Sequence, residues 1–154
     1  KLREEHGQLA EEVMVKLNSV GERFAKLKGV HAMTDVTGFG LAGHLLEMCN
    51  ASNTAAEIEF DNLPLIDPCV LDYIQEGCIP GGTTRNFDSY GCNLSLAEET
   101  QRNIVCDPQT SGGLLIAVDP ADLDAAQQIL KEEGLWSNPI GRMIMKSDHA
   151  IVVL

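Results

Sequence analysis

Apolar residues at Leu9, Val13, Met14, Leu17, Val20, Phe24 and Leu27 recur at three- and four-residue steps, with Glu, Lys and Arg between them. That period is the stripe of an amphipathic helix. Asn18-Ser19 ahead of Gly21 offers a cap and a weak point, so the stripe reads as one helix or as two with a break there. Val30 to Val36 is short enough for a strand. Beyond Thr37-Gly38-Phe39-Gly40, helical spacing returns at Leu41, Leu45 and Met48 and runs to about Ser52. Between Ala55 and Phe60, Ala56, Ile58 and Phe60 alternate with Glu57 and Glu59, which predicts a half-buried strand.

Asp67-Pro68 and Asp119-Pro120 use one device twice, Asp as N-cap and Pro at the first helical position. Leu71 and Ile74 follow the first pair, Leu123, Ala126 and Leu130 the second, and Gly77 and Gly134 mark the ends. Ser95 with Glu98 has the form of a capping box opening a helix to about Ile104. The run Leu114 to Val118 suits a buried central strand, and Gly141–Met145 with His149–Leu154 reads as a closing hairpin over Lys146-Ser147-Asp148. Gly77 to Ser95 has little periodicity and is read as a long loop. Helices and strands alternate, so helices packed on a sheet are expected.

Composition narrows the function classes. A chain of 154 residues, 44% hydrophobic and 22% charged, is one globular domain, not a disordered or disulfide-framework chain. Eleven Lys and Arg against 23 Asp and Glu give a net charge of -12, which repels phosphate backbones and anionic lipid. Nucleic acid and membrane are therefore not expected partners unless a metal or another domain supplies positive charge. No stretch reaches bilayer-spanning length, and a cytoplasmic location is expected. The sequence opens at Lys1 directly into a helical stripe, which suggests a piece of a longer protein. Five cysteines, Cys49, Cys69, Cys78, Cys92 and Cys106, include no C-x-x-C pair, so their spacing favours reduced, packed thiols over zinc or redox chemistry.

Three segments carry candidate chemistry. In Thr34-Asp35-Val36-Thr37-Gly38-Phe39-Gly40-Leu41-Ala42-Gly43-His44, the residues Gly38, Gly40 and Gly43 satisfy G-x-G-x-x-G between a strand and a helix, with Glu59 about twenty residues on. Three readings stand open: a packing turn, a dinucleotide turn, and a metal–phosphate loop. Asp35 has no Lys or Arg within the motif, and a carboxylate beside phosphates makes sense with a divalent cation between them. His44 reads as a core or cap histidine, since only Glu47 and Met48 stand at helical spacing from it. Pro80-Gly81-Gly82-Thr83-Thr84-Arg85-Asn86 is either an anion-binding turn with Arg85 as a planar fork or a plain turn. Asp107-Pro108-Gln109-Thr110-Ser111-Gly112-Gly113 leads into a strand with two hydroxyls and two glycines, again an anion loop or a turn.

Taken together, His31 to His44, Pro80-Gly81-Gly82-Thr83 with Arg85-Asn86, and Cys106 to Leu115 resemble, in order and spacing, the C-terminal half of the selenophosphate synthetase (selenide, water dikinase) family. The likeness runs from about Met14 to the end. It implies an α+β fold, a mixed sheet layered with helices as in the C-terminal domain of the aminoimidazole ribonucleotide synthetase superfamily, with residues 1–154 as one C-terminal domain. It also implies a full-length enzyme that converts ATP, selenide and water to selenophosphate, AMP and phosphate with Mg²⁺, as a homodimer.

On this resemblance Asp35 is a metal ligand, and Thr37, Gly38, Gly40, Arg85, Asn86, Thr110, Ser111, Gly112 and Gly113 are phosphate-facing candidates. The family's reactive Cys or selenocysteine and its partner Lys belong to the N-terminal half. No catalytic residue is therefore expected here, and this chain alone is expected to be inactive. Alternatives are a hydrogenase-maturation or thiamine-phosphate kinase relative, a dinucleotide-binding module, and a structural or dimer-forming module. The hydrogenase-maturation type is expected to end in a Cys-bearing tail, whereas this chain ends Ile151-Val152-Val153-Leu154.

Overall fold

The computed structural model describes residues 2–154. Its elements are α1 (Leu9–Met14), α2 (Gly21–Phe24), β1 (Val30–Asp35), α3 (Gly40–Ser52), β2 (Thr54–Ile58), α4 (Cys69–Gln75) and α5 (Gly81–Tyr90), followed by β3 (Leu94–Ser95), α6 (Glu99–Val105), β4 (Leu114–Val118), α7 (Leu123–Glu132), β5 (Gly141–Met145) and β6 (Ile151–Val153). The expected α+β class holds, with the strands divided between a four-stranded sheet and a two-stranded ribbon.

The four-stranded sheet runs β3-β6-β2-β5 and is mixed: β2 lies parallel to β6 and antiparallel to β5, and β3 is parallel to β6. The expected hairpin between the last two strands does not form, because β2 inserts between β5 and β6. Ala55 and Ala56, neighbours whose side chains point to opposite faces, are 0% and 2% exposed, so β2 is covered on both sides. Small side chains there let α3 lie close on the strand. A central place follows from that burial.

The ribbon pairs β1 with β4 antiparallel, Asp35 facing Leu114 and Met33 facing Ile116. β4 is thus not a central strand, although its unbroken apolar run has a cause. Leu115 turns into the main core with Leu45, Cys49, Val105 and Ile151, while Leu114, Ile116 and Val118 pack with Val20, Phe24, Ala126 and Ile129. Both faces meet a core, so period-two alternation disappears.

The N-terminal stripe is two helices. Residues 15–20 interrupt it, α1 buries no side chain, and α2 seats Phe24 at 1% exposure against α7. The Asp-Pro caps form as expected: Asp67 Oδ1 accepts the Cys69 N–H at 2.8 Å and Asp119 Oδ1 that of Ala121 at 2.8 Å. After the second pair a 3₁₀ turn, Pro120–Asp122, precedes α7. Ser95 makes no capping box, since it lies in β3, and Gln101 Oε1 accepts the Ala97 N–H at 2.7 Å instead.

The expected long loop after Gly77 contains helix α5. Gly81-Gly82-Thr83-Thr84 is a poor helix opening by propensity. Tertiary contact sustains it: Thr83 is 1% exposed, and Tyr90 at the other end is buried. Among the described residues no helix is long and apolar enough to cross a membrane.

Val20, Phe24 and Leu17 belong to one stripe in sequence but not in space. Phe24→Ala is expected to cost about 3 kcal/mol of unfolding free energy, as for a buried aromatic, and Leu17→Ala, at 83% exposure, to stay within about 0.5 kcal/mol. Urea titration of both variants measures the contrast.

Candidate functional site

The three segments singled out in sequence meet around the turn that joins β1 to α3. That turn, residues 36–39, has no ladder partners beyond its first residue, and each of its four carbonyls is claimed by another segment or by the helix start. Val36 O accepts from Gly112 N at 3.1 Å, and Thr37 O from both Gly40 N at 2.9 Å and Gln109 N at 3.0 Å. Gly38 O accepts from Asn86 Nδ2 at 2.9 Å and Phe39 O from Tyr90 Oη at 2.5 Å. The same Asn86 amide donates to Cys106 O at 2.9 Å, so one side chain on α5 ties the first segment to the third.

Two glycines show how close the segments lie. Gly40 has φ +70, and a Cβ there would stand 2.8 Å from Asp107 O and 2.9 Å from Val105 O. A Cβ on Gly112 would meet Val36 O at 2.7 Å. Gly38 differs, because nothing lies within 4 Å of where its Cβ would be. The backbone at Gly38 is therefore open to a ligand, whereas Gly40 and Gly112 are used in packing.

Asp35 ends β1 with its side chain exposed, and among the described residues no Lys or Arg pairs with it. Thr37 Oγ1 lies 3.1 Å from His44 Nε2. His44 is buried, as expected for a core histidine. Its Nδ1 sits 3.2 Å from Glu47 Oε2 without the alignment of a hydrogen bond. Arg85 is exposed on α5 and folds back over the helix start, its Nη1 3.3 Å from the Cβ position of Gly81. Thr110 is exposed. Ser111 takes a left-handed φ of 58, and its hydroxyl reaches Met14 O at 3.4 Å. Gly113 O accepts the Val36 N–H at 2.9 Å. Of the phosphate-facing candidates, Asn86, Gly40, Gly112 and Gly113 thus build the site, Gly38, Arg85 and Thr110 are exposed, and the Thr37 and Ser111 hydroxyls are engaged by His44 and by Met14 O.

The dinucleotide reading of Gly38-x-Gly40-x-x-Gly43 fails on topology. That fold needs β1 and β2 parallel in one sheet, and here they belong to different sheets. Gly43 packs against Tyr90, where a Cβ would come within 3.1 Å of the ring. A large groove of 670 Å³, lined by Leu63, Ile66, Ile74, Ile104 and Trp136, reaches the back of the third segment at Asp107 and Gln109. Its apolar walls suit packing better than a triphosphate.

The family model for the AIR synthase related protein, C-terminal domain, matches residues 1–154. The chain belongs to this family. Among curated proteins it is similar to a selenide, water dikinase of Aeromonas salmonicida, 57% identical over 143 residues, or 93% of this chain and 41% of that protein. A selenide, water dikinase of Shewanella sp. is 57% identical over 154 residues, all of this chain and 44% of that protein. One from Photobacterium profundum is 57% identical over 129 residues, 84% of this chain and 37% of that protein. The chain thus spans well under half the length of these relatives.

Sequence reasoning missed the residues that hold this AIR synthase related domain's loops together. Asp107 Oδ1 accepts from Thr83 Oγ1 at 3.1 Å and Oδ2 from Gln109 Nε2 at 2.7 Å, joining α5 to the third segment. Tyr90 and Gln109 complete the set. Their signal in sequence was only their place inside or just beyond the motifs; Thr83 lies 24 residues from Asp107 and Phe39 lies 51 from Tyr90, and Gln109 reaches Thr37 through its backbone. Burial raises the Asp107 carboxyl above its ordinary value, against the lowering effect of Thr83 and Gln109. Burial likewise pushes up the Cys49 and Cys106 thiols and the Tyr90 hydroxyl.

Asn86→Ala leaves the buried Cys106 carbonyl unpartnered and is expected to cost about 1–3 kcal/mol, read from the denaturant midpoint. For Asp107 the native state holds its proton above the unfolded value of about 3.9, so its contribution is present below that pH and is lost as pH rises through the native value. Stability of wild type relative to Asp107→Asn should therefore decline as pH rises from about 4 toward neutrality. A difference that grows with pH in wild type's favour contradicts the assignment.

Proposed function

We propose that this chain is the C-terminal domain of a selenide, water dikinase, an ATP-dependent enzyme that makes selenophosphate, AMP and phosphate from ATP, selenide and water, and that its converged loops form one wall of the nucleotide site. The carrying observation is the meeting of all three segments at the β1–α3 turn, with the exposed Asp35 carboxylate beside it and open space over Gly38. The names of the similar proteins support the same reading.

Asp35 fits a hard cation by chemistry: an exposed oxygen donor with no cationic side chain to neutralise it. It would supply one ligand to Mg²⁺, whose part is to neutralise charge on the phosphates. The chain's own contribution is positional. Asn86, Tyr90, Gly112 and Gln109 hold the turn still, so that the Gly38 backbone and the Thr37 hydroxyl keep one orientation toward the phosphates, and Arg85 adds a mobile positive charge at the rim. Phosphoryl transfer needs in-line positioning and cations that one metal-binding carboxylate and these loops do not supply, so the domain alone is expected not to turn over ATP. The homodimer belongs to this proposal, as does a cytoplasmic setting, where the five unpaired thiols stay reduced.

In the full-length enzyme, Asp35→Asn is expected to lower kcat at least about tenfold and to weaken the response to Mg²⁺, while the unfolding midpoint stays within about 0.5 kcal/mol of wild type. Wild-type rates at every Mg²⁺ concentration would exclude the metal role. Gly38→Ala is expected to leave stability unchanged and reduce activity, whereas Gly40→Ala should lose about 1–3 kcal/mol from its backbone conformation alone.

A further inference from the structure

Five cysteines without a C-x-x-C pair leave no zinc signature in the sequence, yet the fold assembles a mixed donor set that spacing does not reveal. His6, from the 3₁₀ turn Glu4–His6, meets Asp67 and Cys69 at the start of α4, with one ligand atom from each within 4.8 Å of the other two. We propose that His6, Asp67 and Cys69 form a binding site for Zn²⁺, with water or an external group in the fourth position.

Neighbouring groups hold these side chains in place. Tyr73, one turn along α4 from Cys69, places its hydroxyl 2.9 Å from His6 Nδ1, and the two rings meet edge to face. Asp67 is held by the Cys69 N–H at Oδ1 and its carboxylate also accepts a hydrogen bond from the Cys69 thiol, so two of the three donors already lie against each other. This is the arrangement of outer contacts that steadies metal ligands. Arg3 cannot serve as a competing cation for Asp67, because it is engaged by Asp72 at 3.3 Å and Glu76 at 2.6 Å. Among the described residues no Lys or Arg forms an ion pair with Asp67.

The donor chemistry selects the metal. Imidazole, carboxylate and thiolate suit borderline-soft Zn²⁺, not hard Mg²⁺, which prefers oxygen alone. Zn–N near 2.0–2.1 Å and Zn–S near 2.3 Å require the donors to close by about an ångström, a shift available to side-chain rotation on a half-exposed surface. Binding takes Cys69 as thiolate, its proton passing to solvent, and the ion must overcome the burial and the Asp67 carboxylate that push this thiol up. The consequence is structural: the ion would pin the N-terminal segment to α4, adding to the Arg3 ion pairs that already join them.

Zn²⁺ titration of metal-free full chain against a chromogenic chelator tests the site, with Co²⁺ substitution as spectroscopic readout. Expected are one tight equivalent of Zn²⁺, a thiolate-to-Co²⁺ charge-transfer band, and losses of affinity of at least about tenfold in Cys69→Ser and in His6→Gln. Tyr73→Phe should weaken binding less than either. Cys78→Ser and Cys92→Ser, at exposed cysteines, should leave it unchanged, and millimolar Mg²⁺ should not compete. Circular dichroism checks folding, and His6→Gln, in a surface turn, carries the test if Cys69→Ser folds poorly. No tight equivalent in wild type, or binding that survives both Cys69→Ser and His6→Gln, overturns the proposal.

Discussion

Four peptide carbonyls in a row, from Val36 to Phe39, have no place in either the strand before them or, for the most part, the helix after them. A buried or half-buried carbonyl without a donor is costly, so the turn exists in this form only because other parts of the chain bring donors to it. Gly112 and Gln109 come from the segment before β4, and Asn86 and Tyr90 from α5. Because Asn86 donates to Gly38 and Cys106 together, movement of any one segment breaks contacts to the other two. The three segments are therefore tied to one another through this turn.

Electrostatics bears on how a surface that is acidic at its edge would meet the phosphates of the proposed nucleotide site. With a net charge of -12 the domain cannot attract a polyanion unaided. In the proposed function a divalent cation on the exposed carboxylate at the end of β1 would be the intermediary, and the exposed backbone at Gly38 would add polar contact without adding charge. The buried Asp107 has a different part. Enclosed by Thr83 and Gln109, it is a packing acceptor that pays a desolvation penalty to keep α5 against the third segment.

The division of strands between a ribbon and a sheet determines what the glycine pattern means. A strand, a glycine turn and a helix are also the opening of a dinucleotide fold, and nothing local separates the two. Here β1 pairs with β4 and the chain crosses by α3 into another sheet, so no parallel crevice forms for a pyrophosphate. Gly40 and Gly43 serve close approach to Asp107 and Tyr90 instead.

By itself the sequence determined whatever depends on near neighbours. The Asp-Pro caps, the glycine stops at Gly77 and Gly134, the break in the first helical stripe, the α3 period and the three segments that converge at the β1–α3 turn were all legible, because each is a matter of backbone geometry or periodicity within a few residues. Tertiary structure alone decided the rest. Helix α5 forms against the propensity of Gly81-Gly82-Thr83-Thr84 because Thr83 is buried in a contact with Asp107, 24 residues away. β2 separates β5 from β6 because burial of both its faces outweighs the short connection between them. Asn86 became a brace, and His6 came to lie beside Cys69, through contacts whose partners no local pattern records. Hydrogen bonds and close packing between distant segments are fixed only when the whole chain has folded.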